Sequence, residues 1–291
     1  MKTSLKILTV AIALSSAATL ITACKKDSSS SGSNTNNNGA ASNMSANGAT
    51  GDNAYDDAFN IALQTGYDKG LDNLMQKGNG GTTLGYNFCA NVSVSGSTYP
   101  VTVTVDFGTG CNTSTDGIAR SGSIVYVFSG KLSTTGTTIS ATFNNYKVNG
   151  YQLGGNYSIQ NTTTNVLTPS FTSSVTNGSL IYPNDTSYTF SGTKTVTVSS
   201  SDGTTNISSL IFTAASGNFT ISNSFGESLT ATITKPLVRK LSCGFRDSGT
   251  VSFKYTKGTA SLNGTLDYGN GTCDDSALIT IGAFTKTVTL P

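Results

Sequence analysis

The 291-residue chain contains no histidine and no tryptophan, and Glu227 is its one glutamate. Without histidine the usual general base, the usual partner of a nucleophile and the commonest zinc ligand are all missing. Acid–base chemistry near neutrality would then need an aspartate or lysine shifted by several units, which requires a buried, charge-coupled site. The aspartates that the pattern places fall in linker, helix or turn positions, where water keeps a carboxylate ordinary, so no catalytic residue is expected. Charge of either sign is also scarce. Removing Lys2 and Lys6 from the seventeen basic residues leaves fifteen, against fifteen acidic ones. A neutral chain has no basic field to hold nucleic acid or to pin it by charge to anionic lipid. The five cysteines show no C-x-x-C spacing and have no histidine to join, which argues against a redox or zinc centre.

What is present begins with an address. Residues 1–23 divide into a basic start with Lys2 and Lys6, an apolar run from Ile7 to Leu20 and the small exit Thr22-Ala23. This is the layout of a secretory signal peptide, too short for a convincing membrane span when a polar tract follows. The run Ile21-Thr22-Ala23-Cys24 resembles the lipobox of bacterial lipoproteins, which implies cleavage before Cys24 and acyl chains such as palmitate on that cysteine. One chain holds only marginally, at about 0.8 kcal/mol per buried methylene, whereas several make a lasting anchor. Lys25 stands where an aspartate would resemble an inner-membrane retention signal, so the expected location is the outer membrane of a Gram-negative bacterium. Lys25-Lys26-Asp27 resembles the short charged signal by which lipoproteins of one Gram-negative phylum reach the cell surface, and it fits the solvated start of a linker equally well.

Residues 24–51 are expected to be a lipidated, disordered tether, because Ser, Asn and Gly leave almost nothing to bury. As a flexible coil such a segment would reach on the order of 30 Å. In 52–83 the reading is one short helix and a linker, since Tyr55, Phe59 and Leu63 recur at helical spacing and the helix ends near Gly66.

From residue 84 to 291 the dominant period is two. Val101, Val103, Val105 and Phe107 alternate with Thr102, Thr104 and Asp106, and Val251, Phe253 and Tyr255 alternate with Ser252, Lys254 and Thr256. These are half-buried antiparallel strands. Ile124-Val125-Tyr126-Val127-Phe128 lacks alternation and reads as a strand covered on both faces or paired centrally. Apolar parity flips between Ile281 and Phe284, which suggests a one-residue bulge at Gly282. Turn pairs at Ser95-Gly96, Asn149-Gly150, Asn177-Gly178, Asp202-Gly203, Lys257-Gly258 and Asn263-Gly264 make most links hairpins. The fold class is therefore all-β: an antiparallel meander of many short strands forming a sandwich or an open barrel, with one short N-terminal helix.

Four cysteines sit around two of these hairpins. Cys89 and Cys111 are nearly equidistant from a point just past Ser95-Gly96, and Cys243 and Cys273 from Lys257-Gly258. Cross-strand geometry thus selects Cys89–Cys111 and Cys243–Cys273 among the three pairings of four cysteines, in an exported chain whose surroundings let disulfides persist. The two closing segments are alike, Asp106-Phe107-Gly108-Thr109-Gly110-Cys111 and Asp267-Tyr268-Gly269-Asn270-Gly271-Thr272-Cys273. This paired Asp-Phe/Tyr-Gly-x-Gly-(x)-Cys motif, with Arg120-x-Gly122 after the first copy and Cys273-Asp274-Asp275 in the second, resembles a family of uncharacterised β-rich lipoproteins of that Gram-negative phylum. The resemblance implies a lipid-anchored, all-β exterior protein and no activity. The aspartate can cap a tight turn for which the glycines supply positive φ. Alternatively, Asp267, Asn270, Asp274 and Asp275 could contribute oxygen ligands to Ca2+, which needs six to eight. Asp275-Ser276-Ala277 also resembles the phylum's three-residue O-glycosylation acceptor.

Three functions are open on this reading. The first is a non-catalytic binding or structural protein, joined to the membrane through its N-terminal lipid, with no nucleic acid and with a glycan, protein or lipid as the ligand. The second is a carrier of lipid or another apolar ligand, marked by a wide apolar cavity. The third is an aspartate-based enzyme acting on glycans.

Overall fold

Val101, Val103 and Val105 point inward and are buried, while Thr102 and Thr104 face outward, and this alternation continues across the sheet. The structure, a computed structural model, describes residues 31–71, 88–110, 114, 116–165, 167–201, 209–243 and 245–290, with the backbone alone for 31–35. The strands are β1 (Asn91–Ser95), β2 (Val101–Asp106), β3 (Arg120–Phe128), β4 (Thr138–Val148), β5 (Tyr151–Asn161), β6 (Ser170–Ile181) and β7 (Ser187–Ser200). They continue as β8 (Leu210–Ser222), β9 (Glu227–Lys240), β10 (Ser248–Lys257), β11 (Ala260–Asn270), β12 (Ser276–Ile281) and β13 (Phe284–Thr289). All thirteen form one antiparallel meander in which each strand pairs with its sequence neighbours. That is the expected class, and a single continuous sheet decides against a sandwich. The signal peptide, Cys24, Lys25-Lys26-Asp27, Cys111 and Asp202-Gly203 lie outside the described residues.

Several local expectations are corrected. Asn177-Gly178 is a bulge within β6 rather than a hairpin, with the register shifting between Val175 and Gly178 and Asn177 at φ 51°. Asn263-Gly264 lies inside β11, where Gly264 faces Phe253 of β10 and leaves room for its ring. Gly282 makes the β12–β13 hairpin turn instead of a bulge, at φ 57°, and pairing Ile281 with Phe284 keeps both apolar runs on one face. Strand β3 is paired on both sides but not covered on both faces, since Val127 is exposed while Ile124, Tyr126 and Phe128 are buried.

The largest correction is at the N-terminal side. Residues 31–51, expected as tether, are the first part of a 38-residue helix, α1 (Ser31–Asp68), so the helix is neither short nor confined to 52–83. At 1.5 Å per residue it is about 57 Å long, yet among the described residues no helix is long and apolar enough to cross a membrane. Ile61 to Gly66 are six consecutive buried residues, more than a full turn, so the helix has no solvent face there.

The sheet curls around this helix. Strands β4, β5 and β8 to β13 all pack on it, while β1 and β13 are not paired with each other. The small residues explain the fit. An added Cβ on Gly48 would fall 2.5 Å from the Phe219 ring of β8, one on Gly51 2.9 Å from Phe190 of β7, and one on Gly66 3.1 Å from Phe128 of β3. Tyr55, Phe59 and Ile61 fill the remaining core, and each such burial contributes about 1.5–3 kcal/mol. Glycine is a poor helix former by about 1 kcal/mol relative to alanine. Helicity over 31–51 is therefore imposed by packing rather than by propensity.

Candidate functional site

The segment Asp52-Asn53-Ala54-Tyr55-Asp56-Asp57 carries three aspartates on a helix that the sheet encloses; Asp52 and Asp56 share Lys194 and Arg246, and Asp57 meets Arg120. Lys194 of β7 contacts Asp52 Oδ1 at 2.6 Å and also pairs with Asp56. Arg246, in the β9–β10 connection, donates from Nη2 to Asp52 Oδ2 at 2.6 Å and to Asp56 Oδ2 at 2.5 Å, and from Nε to Asn53 Oδ1 at 2.8 Å. Two carboxylates and two cations close into a ring. Burial alone would raise the Asp52 pKa, but Arg246 and Lys194 outweigh it and hold the group below the ordinary carboxylate range.

At the next residue of the helix, Arg120 at the start of β3 donates to Asp57 through Nε at 3.0 Å and Nη2 at 2.5 Å. The same guanidinium reaches Asp116 at 3.1 and 2.7 Å, and Tyr146 of β4 donates to Asp57 at 2.5 Å. Burial works against the Arg120 charge, yet Asp57 and Asp116 raise its pKa above the ordinary arginine value. Burial likewise tends to raise Asp116, and Arg120, Ser114 and the Ile118 N–H lower it by more. Tyr55 donates to the Gly154 carbonyl at 2.7 Å and Tyr126 to the Ala58 carbonyl at 2.7 Å, so these two buried hydroxyls are bonded.

Beside this network lies a cavity of about 510 Å3. Its floor is one helix stripe, Thr50, Asn53, Ala54 and Asp57. One wall is Asp116, Ile118, Asn149 and Tyr151, from the connections around β3, β4 and β5. The other is Arg239, Phe245, Arg246 and Leu290, with Asp275 beside them. The wall is thus mixed in charge, with two rings and several amide and hydroxyl groups.

The sequence-nominated residues lie elsewhere, apart from Asp275. Cys243 and Cys273 form a disulfide with a Cα–Cα distance of 5.7 Å, tying the ends of the β10–β11 hairpin. Cys89 is also disulfide-bonded. Asp106 and Asp267 each accept the N–H two residues ahead, at 2.8 Å from Gly108 and 2.9 Å from Gly269, so both copies of the motif are capped turns. Asp274 accepts the Ser276 N–H at 2.9 Å, while Asn270 is exposed at the end of β11. Among the described residues no three acidic or cysteine side chains form a group that could hold a metal ion.

The expectation that the aspartates are solvated is corrected for Asp52 and Asp57, both buried. The missed signal lay in strand parity. Arg120 shares the inward parity of Ile124, Tyr126 and Phe128, and Lys194 that of Phe190, Val196 and Val198, so each put a charge on the core face. An inward charge demands a buried partner. No family model, no curated protein and no solved structure matches the chain.

Proposed function

We propose that this chain is a lipid-anchored, non-catalytic binding protein of the outer membrane, whose sheet is packed on its own helix and offers one mixed-polarity cavity to a small ligand. The observation that carries the reading is the helix itself. It fills the concave side of the sheet, the place where an apolar cargo would lie, so carriage of a lipid loses its support. The binding reading draws on the cavity, whose volume falls within the roughly 300–1,000 Å3 of ligand pockets. Against the glycan-acting enzyme stands the pairing of two of the cavity's three aspartates: Arg120 binds both Asp57 and Asp116, and Asp116 is held ionised, which unfits it as a general acid near neutrality.

The anchor rests on Cys24 and its preceding run. Metabolic labelling with a fatty-acid analogue is expected to tag the wild-type chain, and Cys24→Ala is expected to lose the tag and leave the membrane. A Cys24→Ala chain that is still labelled and still membrane-bound would refute the anchor.

A further inference from the structure

We propose that the cavity on the helix stripe takes a neutral, hydroxyl-rich ligand of the mono- or disaccharide class; this rests on the binding reading above and supplies its ligand. The charges around the cavity are largely spent on one another. Asp57 and Asp116 are both engaged by Arg120, and Arg246 faces Asp52 and Asp56. The strongest fields at the wall are therefore compensated within the protein before any ligand arrives. An anion entering the cavity would meet Asp57, Asp116 and Asp275, and a cation would meet Arg239 and Arg246. An apolar chain would strip water from these groups and return no hydrogen bonds.

A hydroxyl group is both donor and acceptor, so it matches a wall that alternates the two. The donors it would meet are specific. Arg246 spends Nε and Nη2 on the helix, and its Nη1 donates to no described residue. Asn53 accepts through Oδ1 from Arg246, and Asn149 accepts through Oδ1 from the Ala119 N–H at 3.1 Å, so each is oriented with its amide Nδ2 uncommitted among the described residues. Tyr151 is braced edge-on by Tyr182, with centroids 4.8 Å apart, and its hydroxyl has no partner among the described residues. Asn149 and Tyr151 are held by Ala119 and Tyr182, which do not line the cavity, and Arg246 and Asn53 by each other together with Asp52 and Asp56, which is the preorganisation that selective recognition needs. The Tyr151 and Phe245 rings add apolar surface for the C–H face of a sugar ring.

The test is saturation-transfer NMR on the full lipidated chain in detergent. The probes are glucose, galactose, mannose, N-acetylglucosamine, lactose and maltose, with citrate, spermidine and decanoate as charged and apolar comparators. At least one sugar is expected to bind, with affinity falling tenfold or more in both Asn53→Ala and Tyr151→Ala while thermal unfolding shows each variant folded. Binding of a sugar that survives both substitutions would overturn the assignment of this cavity. If a comparator binds with that same sensitivity and no sugar does, the ligand class falls and the binding reading stands. If no probe binds, both fall.

Discussion

Arg120 and Asp57, 63 positions apart in the chain, share two hydrogen bonds inside the curled sheet, Nε to Oδ2 at 3.0 Å and Nη2 to Oδ1 at 2.5 Å. Removing one partner leaves the other charge buried without its counter-ion. Arg120→Met is therefore expected to cost about 3–5 kcal/mol in urea unfolding. Adding Asp57→Asn to it should recover part of that loss, because the orphaned carboxylate is then neutral. A double variant no more stable than the single one would show that the cost lies in lost packing.

Glycine positions in the helix and the sheet should differ in tolerance. At Gly48 an added Cβ meets side chains, the Phe219 ring at 2.5 Å and Ile221 Cγ2 at 3.4 Å, and a ring can tilt. At Gly178 it meets the Phe190 backbone oxygen at 2.5 Å, which cannot yield without disturbing the β6–β7 pairing, and the Tyr55 hydroxyl at 2.6 Å, which cannot move without straining its bond to the Gly154 carbonyl. Gly178→Ala should therefore destabilise more than Gly48→Ala, whose cost should lie in the roughly 1–3 kcal/mol range of overpacked sites. Thermal or urea unfolding of the two variants ranks them directly, and the reverse order would contradict the packing argument.

Stability should have a wide flat top in pH. With no histidine, no side chain of ordinary pKa titrates between roughly pH 5 and 8. Asp52 and Asp116 are lowered in the folded protein, so their contribution is complete above the unfolded aspartate value of about 3.9 and is lost as pH falls through the folded values. Burial raises Tyr126, Tyr146 and Tyr157, so their contribution is present below about pH 10 and is lost as pH rises beyond it. Unfolding midpoints should thus fall below about pH 4 and above about pH 10, with little change between them. A step centred near neutrality would contradict this account.

The Cys243–Cys273 bond closes a 30-residue separation around the β10–β11 hairpin. Loop-closure entropy gives it about 3–4 kcal/mol. Cys243→Ala paired with Cys273→Ala should lower stability by that order, as read by urea unfolding under non-reducing conditions. Peptide mapping of the wild type is expected to join Cys89 to Cys111 as well, and a peptide linking the two halves of the sheet would break the hairpin argument.

Strand parity was legible because it depends only on which residues face the core, as Val101 to Phe107 and Val251 to Tyr255 demonstrate. The same parity carried the warning at Arg120 and Lys194. The helix was illegible over 31–51 because Ser, Asn and Gly there have neither helical propensity nor an apolar stripe; they are small so that Phe219 and Phe190 can approach. Reading them required the rings of strands more than 130 residues away. Turn chemistry misled at Asn177-Gly178 and Asn263-Gly264 for a related reason, since these glycines serve a close approach and a bulge within strands. Asp267 and Asp274, nominated for a metal, each accept one backbone N–H in their own turn.

The enclosed helix also sets an order of events for a newly made chain. A ribosome completes residues 31–68 before it has made any of the strands that surround them, and partners such as Arg246 follow by about 190 positions. Until those strands exist, nothing favours the helical form of this polar stretch, so the first element synthesised is among the last to be secured. Contacts of such long sequence separation slow folding. Truncation from the C-terminal side should therefore melt the N-terminal helix first, long before it removes a residue that the helix contains.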